Sequence, residues 1–263
     1  MRLGRSAVTF DLWHTLVYLE AESEERYMAR QVDIAVQVLA ASEPLPGAPR
    51  AAEADLRAAF DREYVRAVAE SADGRTVTPA EQLRRAAHAT GRQARPGSYL
   101  EALEEVVGET PFLVAPDAIS VLSELKEVGY QIGVLSNTIG EPGRFLRPIL
   151  RRLGFDQYVD HYTFSDEYPW TKPAPEIFLA ALSALGSDPT AAVHVGDGWS
   201  DIEGGRRAAL AGTVLFTGLQ EYGERYRKLF LSTGWRRPPS DHTASTLPEV
   251  VPIVRRLLPA PLG

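Results

Sequence analysis

The order of apolar and polar residues divides the chain into strand-like and helix-like stretches. The run AVTF, from Ala7 to Phe10, is short, apolar and partly β-branched, which predicts a buried strand. Beyond Pro116, strand-length apolar runs alternate with helical patterns, which is typical of βαβ units and predicts an α/β fold with a parallel sheet. Strands are predicted at 130–137, 162–165, 191–197 and 213–218, helices at 116–129, 143–154, 175–186 and 200–212, and a final helix, or a strand and a helix, at 247–258.

A helical block interrupts this alternation between about residues 20 and 110. Leu, Val, Ala and aromatic residues recur at helical spacing in 24–41, 50–70 and 79–91, and breakers such as Asp73-Gly74 and Pro96-Gly97 separate the helices. Because the block offers no strand, the first strand must pair with the later ones. We therefore expect a core formed by 1–17 and 113–263, with an all-α domain, 18–112, inserted after the first strand.

Composition and charge narrow the class of protein. The chain is 44% hydrophobic and 24% charged, as expected of a globular protein, and its net charge of −7 disfavours nucleic acid and anionic lipid as partners. It has no cysteine, so disulfides, thiolate metal sites and cysteine nucleophiles are excluded. No apolar run has membrane-span length and no secretory pattern opens the chain. We expect a cytoplasmic protein, monomeric or homodimeric.

Polar residues that support phosphoryl transfer lie at or just beyond the ends of four successive strands. They are Asp11 after the first strand, Ser136 and Asn137 at the end of the second, Lys172 after the third, and Asp197 at the end of the fourth with Asp201 just beyond it. The carboxyl ends of parallel strands share one edge of a sheet, where ligands bind. A carboxylate there can attack phosphorus, paired carboxylates hold Mg²⁺, and a hydroxyl and an ammonium group bind phosphoryl oxygens.

The segments around these residues resemble the four motifs of the haloacid dehalogenase superfamily. They read FDLWHTL, VLSNT, KPAPEIF and VGDGWSD, in the family's order. The residues Asp11, Ser136, Lys172 and Asp197 are separated by 125, 36 and 25 positions (136 − 11, 172 − 136 and 197 − 172). This spacing is similar to that of members with a helical cap after the first strand. The resemblance implies a Rossmann-like core, with 18–112 as the cap.

The same resemblance implies a Mg²⁺ site and a covalent mechanism. Asp11 would be the nucleophile and a metal ligand, while the backbone carbonyl of Trp13 and the carboxylate of Asp197 would complete the metal site. A cap that closes over this site implies a small-molecule substrate. The expected function is therefore that of a Mg²⁺-dependent, phosphatase-like hydrolase that passes through an aspartyl-phosphate.

Further site residues are implied by the motifs. Ser136 would bind the transferred group, Lys172 would neutralise charge, and Asp201 would orient Lys172 or a metal-bound water. His14 and Asn137 are expected to contact substrate.

Trp13 departs from the family pattern. It occupies the position where Asp-x-Asp-x-Thr members have a second aspartate as general acid, and its side chain is expected to contact substrate instead. Two alternatives stay open: a metal-free 2-haloacid dehalogenase, in which an aromatic residue is usual here, and a non-catalytic ligand-binding or partner-binding protein. The acids Asp197 and Asp201 count against the dehalogenase. Phosphonoacetaldehyde hydrolysis is excluded because the cap has no lysine.

Two remaining features of the sequence are its histidines and the C-terminal stretch 219–245. The five histidines have no metal-ligand spacing, and His194 is expected to be a core residue beneath Asp197. The stretch 219–245 has no legible pattern, and 235–237 (WRR) is expected to form a solvated turn.

Overall fold

A six-stranded parallel sheet forms the centre of the fold in the computed structural model, which describes residues 5–220, 228 and 239–258. The strands of the described ranges are β1 (Ala7–Phe10), β2 (Val17–Tyr18), β3 (Leu113–Val114), β4 (Gln131–Ser136), β5 (His161–Phe164), β6 (Ala192–Gly196), β7 (Gly212–Phe216) and β8 (His242–Ala244). The sheet has the order β5-β4-β1-β6-β7-β8, and each neighbouring pair is parallel. The α/β fold with a parallel sheet is thus confirmed.

Strand β1 lies at the centre of the sheet, between β4 and β6. Every residue of β1 and β6 is buried, as expected for strands covered on both faces. The ladder continues one residue past β1, where the Asp11 backbone N–H donates to the Val195 carbonyl oxygen at 2.8 Å. Asp11 is thereby fixed at the carboxyl edge of the sheet.

Nine α-helices occur in the described ranges, and four of them form the inserted block. They are α1 (Ala21–Ala41), α2 (Glu53–Ala72), α3 (Pro79–Ala89), α4 (Pro96–Glu109), α5 (Ala118–Val128), α6 (Gly143–Arg152), α7 (Pro175–Leu185), α8 (Trp199–Arg207) and α9 (Val250–Leu257). Helices α1–α4 lie between β2 and β3, and their apolar faces share one hydrophobic cluster with the sheet.

A two-stranded antiparallel sheet stands where the helical block joins the core. Val17 of β2 pairs with Val114 of β3, and Tyr18 pairs with Leu113. These strands were not predicted, because two residues are too short to show a period. The division into 1–17 with 113–263 and 18–112 stays a prediction, and this small sheet lies at both of its boundaries.

The helical block contacts the carboxyl edge of the main sheet through backbone acceptors. Thr76 Oγ1 donates to the Ser165 carbonyl oxygen at 3.0 Å, and Gln82 Nε2 donates to the Ile139 carbonyl oxygen at 2.7 Å. Across the same boundary, the Thr171 N–H donates to the Gly74 carbonyl oxygen at 3.1 Å. The helices therefore rest directly on the loops that follow β4 and β5.

The predicted segment 247–258 is a final helix, and the strand that the alternative placed within it is not observed there. Strand β8 extends the sheet, and α9 follows. Most of the stretch 219–245, including the turn expected at 235–237, lies outside the described residues. Among the described helices, none combines the length and the apolar character that a membrane crossing requires.

Candidate active site

A buried lysine joins two carboxylates at the carboxyl edge of the sheet. Lys172 follows β5, and its Nζ donates to Asp11 Oδ1 and to Asp201 Oδ1, each at 2.6 Å. The same ammonium group donates to the Leu135 carbonyl oxygen at 3.0 Å. All three charged side chains are buried. Three residues expected from separate motifs thus meet in one ion cluster.

The cluster shifts the proton affinities of its members in different directions. Burial opposes the charge on Lys172, but Asp11 and Asp201 outweigh it and raise the lysine pKa. Burial also opposes ionisation of Asp201, yet Lys172 and His194 hold the pKa of Asp201 below its usual value. Burial raises the pKa of Asp11 to about 7, against the opposing effect of Lys172. Asp201 is therefore the permanent counter-charge of the lysine.

Three carboxylates converge at this point. One oxygen from each of Asp11, Asp197 and Asp201 lies within 4.8 Å of the others, which is close enough to hold a metal ion. Within this set, both oxygens of Asp201 already accept hydrogen bonds from the protein. Its Oδ1 accepts from Lys172, and its Oδ2 accepts from the Gly198 N–H at 2.9 Å. Glycine is required at 196, because a Cβ there would lie 2.3 Å from Asp201 Cγ.

Two buried hydroxyl groups at the carboxyl edge of the sheet lack hydrogen-bond partners in the described residues. Ser136 Oγ, at the end of β4, and Thr15 Oγ1, in the loop after β1, are both buried without a partner in the described part of the chain. A buried hydroxyl without a partner is unfavourable, since its desolvation is uncompensated. Each of these two hydroxyl groups therefore keeps an unused hydrogen-bond donor.

Asn137 fixes the backbone of the lysine. Its Nδ2 donates to the Lys172 carbonyl oxygen at 3.0 Å, and its Oδ1 accepts from the Lys172 N–H at 2.9 Å. The side chain that was expected to contact substrate is thus used in a two-bond contact with the lysine loop. This contact explains how Lys172, which lies on a loop, is held within hydrogen-bond distance of Asp11.

The Trp13 side chain is held by the buried carboxylate of Glu141, which also binds two residues of the helical block. Its Nε1 donates to Glu141 Oε1 at 3.0 Å, while Tyr27 OH donates to Glu141 Oε2 at 3.1 Å and Gln31 Nε2 to the same oxygen at 3.4 Å. The indole packs edge-on against Phe112, with ring centroids 5.2 Å apart. The indole N–H is directed to Glu141, which also accepts from Tyr27 and Gln31 of helix α1. This shared acceptor links Trp13 to helix α1.

Glu141 makes the stability of the protein depend on pH. Burial raises its pKa to about 7, although the donors Tyr27, Gln31 and Trp13 lower it. Because the folded state then holds a proton that the unfolded state has lost, stability falls as pH rises from about 4.5 to about 7. The shift corresponds to about 3 kcal/mol. We expect Glu141→Gln to remove this part of the decline.

Urea unfolding at about pH 5 and about pH 8 tests this expectation. Asp11 contributes to the same window in both proteins, so only the difference between wild type and Glu141→Gln is informative. Glu101→Gln, at an exposed position of α4, serves as the control and should keep the wild-type pH dependence. Parallel pH profiles for wild type and Glu141→Gln would contradict the assignment.

His14 forms a second link between the core and helix α1. The residue has a left-handed backbone (φ 55°), and its Nε2 lies 3.5 Å from Glu24 Oε1. Burial opposes protonation of His14, but Glu24, with Asp197 and Asp11, raises its pKa. The predicted contact residue therefore lies near the carboxylate cluster and is paired with a helical-block glutamate.

Several residues around the cluster were missed by sequence reasoning or given another role. No motif contains Glu24, Tyr27, Gln31 or Glu141. Tyr27 and Gln31 lie 114 and 110 positions from their partner Glu141. His194 is fully buried, as expected of a core residue. It also makes a polar contact, because its Nε2 lies 2.9 Å from Asp201 Oδ1. The sequence signal for a polar role of His194 is its place as a polar residue inside an otherwise apolar strand, AVHVG.

Comparison with known proteins gives one family and one fold. The family profile described as haloacid dehalogenase-like hydrolase matches residues 6–209. N-acetylmuramic acid 6-phosphate phosphatase from Pseudomonas aeruginosa is 38% identical over 88 residues, which are 34% of this chain and 38% of that protein. The chain thus matches about two fifths of this curated relative's length.

Solved structures agree over nearly the whole chain. A phosphatase of the same superfamily from Thermococcus onnurineus has a TM-score of 0.61 and 21% identity, covering 97% of this chain and 99% of the other. A protein described as a dehalogenase has a TM-score of 0.53 and 19% identity, covering 95% of this chain and 96% of the other. The fold is shared by both kinds of enzyme and does not separate them.

Proposed function

The chain belongs to the haloacid dehalogenase-like hydrolase family, and from this premise we propose that it is a Mg²⁺-dependent phosphatase of small phosphorylated molecules. The contact of Lys172 with both Asp11 and Asp201, close to Asp197, is the observation that carries the proposal. The phosphatase name of the P. aeruginosa relative points the same way.

Asp11 would act as the nucleophile. Lys172 holds Oδ1, whereas Oδ2 makes no hydrogen bond to another described residue, so Oδ2 is the oxygen poised to attack. Attack on phosphorus forms the bond from Oδ2 to phosphorus and breaks the bond from phosphorus to the ester oxygen, which leaves with the electron pair. Water then attacks the aspartyl-phosphate, releases inorganic phosphate and restores the Asp11 carboxylate.

The surrounding residues would bind the phosphoryl group. Ser136 Oγ, buried and without a partner, donates to a phosphoryl oxygen, and the Lys172 ammonium group offsets negative charge. Asp201 and Asn137 keep this lysine in place. These groups act in a site shielded from water, where charge interactions are strong.

The donor set also fits a magnesium ion. Asp11 and Asp197 offer carboxylate oxygens, the ligands that Mg²⁺ prefers, and the Trp13 carbonyl is the third ligand that the motif implies. When bound, the ion would supply positive charge that reduces repulsion between an anionic nucleophile and an anionic substrate. Asp201 is less suited as a ligand, because Lys172, His194 and the Gly198 N–H already bind it.

The helical block limits the size of the substrate. Helix α1 reaches the loop after β1 through Glu24 and His14, and the loop before α3 contacts the segment that precedes Lys172. A site covered in this way suits a small molecule better than a polymer. The cytoplasmic location, the absence of nucleic-acid and membrane partners, and a monomeric or homodimeric state stay predictions.

A substrate panel tests the proposal. Phosphate release from phosphorylated small molecules is measured with Mg²⁺ and with chelator, and halide release from 2-chloropropionate is measured in parallel. We expect phosphate release that requires Mg²⁺ and no halide release. Halide release without metal would establish the dehalogenase alternative, and binding of phosphorylated ligands without turnover would establish the non-catalytic one.

Mg²⁺ binding should be visible in stability. A ligand that binds only the folded state raises Tm, and we expect roughly 5 °C at saturating Mg²⁺ for a chain of this size. Asp197→Asn should remove most of this shift, because the amide is a weaker ligand than the carboxylate. The control is Asp188→Asn, which changes an exposed aspartate outside the helical block and should keep the shift in Tm. An equal shift in all three proteins would place the ion elsewhere.

A further inference from the structure

A buried chain of hydrogen bonds runs behind the lysine-carboxylate cluster. Thr9 on β1 faces His194 on β6, and the two residues are register partners in the sheet. Thr9 Oγ1 lies 2.8 Å from His194 Nδ1, and His194 Nε2 lies 2.9 Å from Asp201 Oδ1. None of the three side chains is more than 2% exposed. The chain therefore links two central strands to the counter-charge of Lys172.

The partners of the imidazole decide which nitrogen carries the proton. Asp201 accepts from Lys172 and from the Gly198 N–H, so it is an ionised carboxylate and can only accept from His194. His194 Nε2 must therefore carry a hydrogen. A second hydrogen on Nδ1 would place a full positive charge in a dry site beside the Lys172 ammonium, which is unfavourable. Nδ1 is left as an acceptor, and the Thr9 hydroxyl donates to it.

We propose that His194 is a positioning residue that holds Asp201, and through it Lys172, in the geometry needed for turnover. In this arrangement Thr9 fixes the tautomer and the ring orientation of His194. The kinetic consequence rests on the proposed phosphatase function, whereas the tautomer does not. The competing explanation is simple packing, since the ring also lies edge-on against Phe178 with centroids 5.0 Å apart.

Substitutions at 194 separate positioning from packing. His194→Leu removes the donor to Asp201, and we expect kcat to fall roughly 10- to 100-fold with KM changed by less than about threefold. His194→Gln keeps an amide N–H close to the position of Nε2, and it should restore kcat to within about fivefold of wild type. A packing role predicts a lower Tm for both variants, with kcat unchanged.

Thr9 gives a milder test in case His194→Leu does not fold. Thr9→Val keeps the shape but removes the donor to Nδ1, and we expect kcat to fall about three- to tenfold. The matched control is Thr213→Val, because Thr213 is a buried threonine on β7 opposite His194 whose hydroxyl has no partner in the described part of the chain. Thr213→Val should leave kcat unchanged. Equal kcat for wild type and both folded variants would overturn the proposal.

NMR of protein with ¹⁵N-labelled histidine tests the tautomer without any substrate. We expect the His194 signals of a neutral ring with hydrogen on Nε2, and a change at Nδ1 in Thr9→Val but not in Thr213→Val. A ring protonated on Nδ1, alone or together with Nε2, would overturn the assignment. If wild type released no phosphate from any ester but showed the expected tautomer, the phosphatase proposal would fail while the hydrogen-bond assignment held.

Discussion

Replacing Asp11 by asparagine is expected to lower phosphate release by at least about 10³-fold while leaving the fold intact, because nucleophile substitutions have effects of this size or larger. The amide has nearly the same shape, but it lacks the anionic oxygen that attacks phosphorus and offers a weaker metal ligand. It also leaves the Lys172 ammonium with one carboxylate instead of two. The measurement is kcat on the best substrate of the panel, with circular dichroism to verify folding.

A second aspartate-lysine pair provides the matched control. Asp160 accepts from Lys126 Nζ at 2.8 Å, on the surface of the core and outside the site. Asp160→Asn likewise removes one aspartate charge from a lysine, here in a partly exposed pair, and its kcat should equal that of wild type. Rapid acid quenching followed by mass spectrometry should detect phosphate on the peptide that contains Asp11. Residual turnover above a few per cent in folded Asp11→Asn protein would assign the nucleophile to another residue.

The main elements of this site could be predicted from the sequence because a parallel sheet brings strand ends together. Asp11 and Asp197 directly follow, and Ser136 ends, a strand whose apolar run was legible, and the strand order places those strands side by side. The contacts of Lys172 with Asp11 and Asp201 follow from that placement. The roles of these residues came from the family resemblance, and they stay predictions until the variants are measured.

The contacts between distant residues could not be predicted. Trp13 and Glu141 are 128 positions apart, and their hydrogen bond depends on the packing of the loop after β4 against the loop after β1. No periodicity encodes such a contact. Thr9 and His194 form an intermediate case, since both are polar residues within buried strands of a parallel sheet. This local anomaly identifies them as candidates, but only the strand register shows that they meet.

The rate of the enzyme should depend steeply on the leaving group, because Trp13 stands where a proton donor is expected. The indole N–H is directed to Glu141 and is far too weak an acid to protonate an alkoxide. A general acid contributes roughly 10²–10⁴-fold where protonation matters, and little where the leaving group departs unaided. We therefore expect p-nitrophenyl phosphate and acyl phosphates to be hydrolysed roughly 10²–10⁴ times faster than a sugar phosphate.

Variants at position 13 test the cause of this dependence. Trp13→Phe keeps an aromatic ring against Phe112 but offers no proton donor, so it should keep the wild-type ratio of the two rates. Trp13→Asp supplies a carboxyl group and should raise the rate on alkyl phosphates relative to aryl phosphates, even if the void beside Phe112 lowers Tm. Equal wild-type rates on both classes, with chemistry shown to limit turnover, would mean that another group gives the proton. His14, which lies near the carboxylates and is paired with Glu24, would then be the residue to substitute, because loss of that proton donor in His14→Gln should restore the dependence on the leaving group.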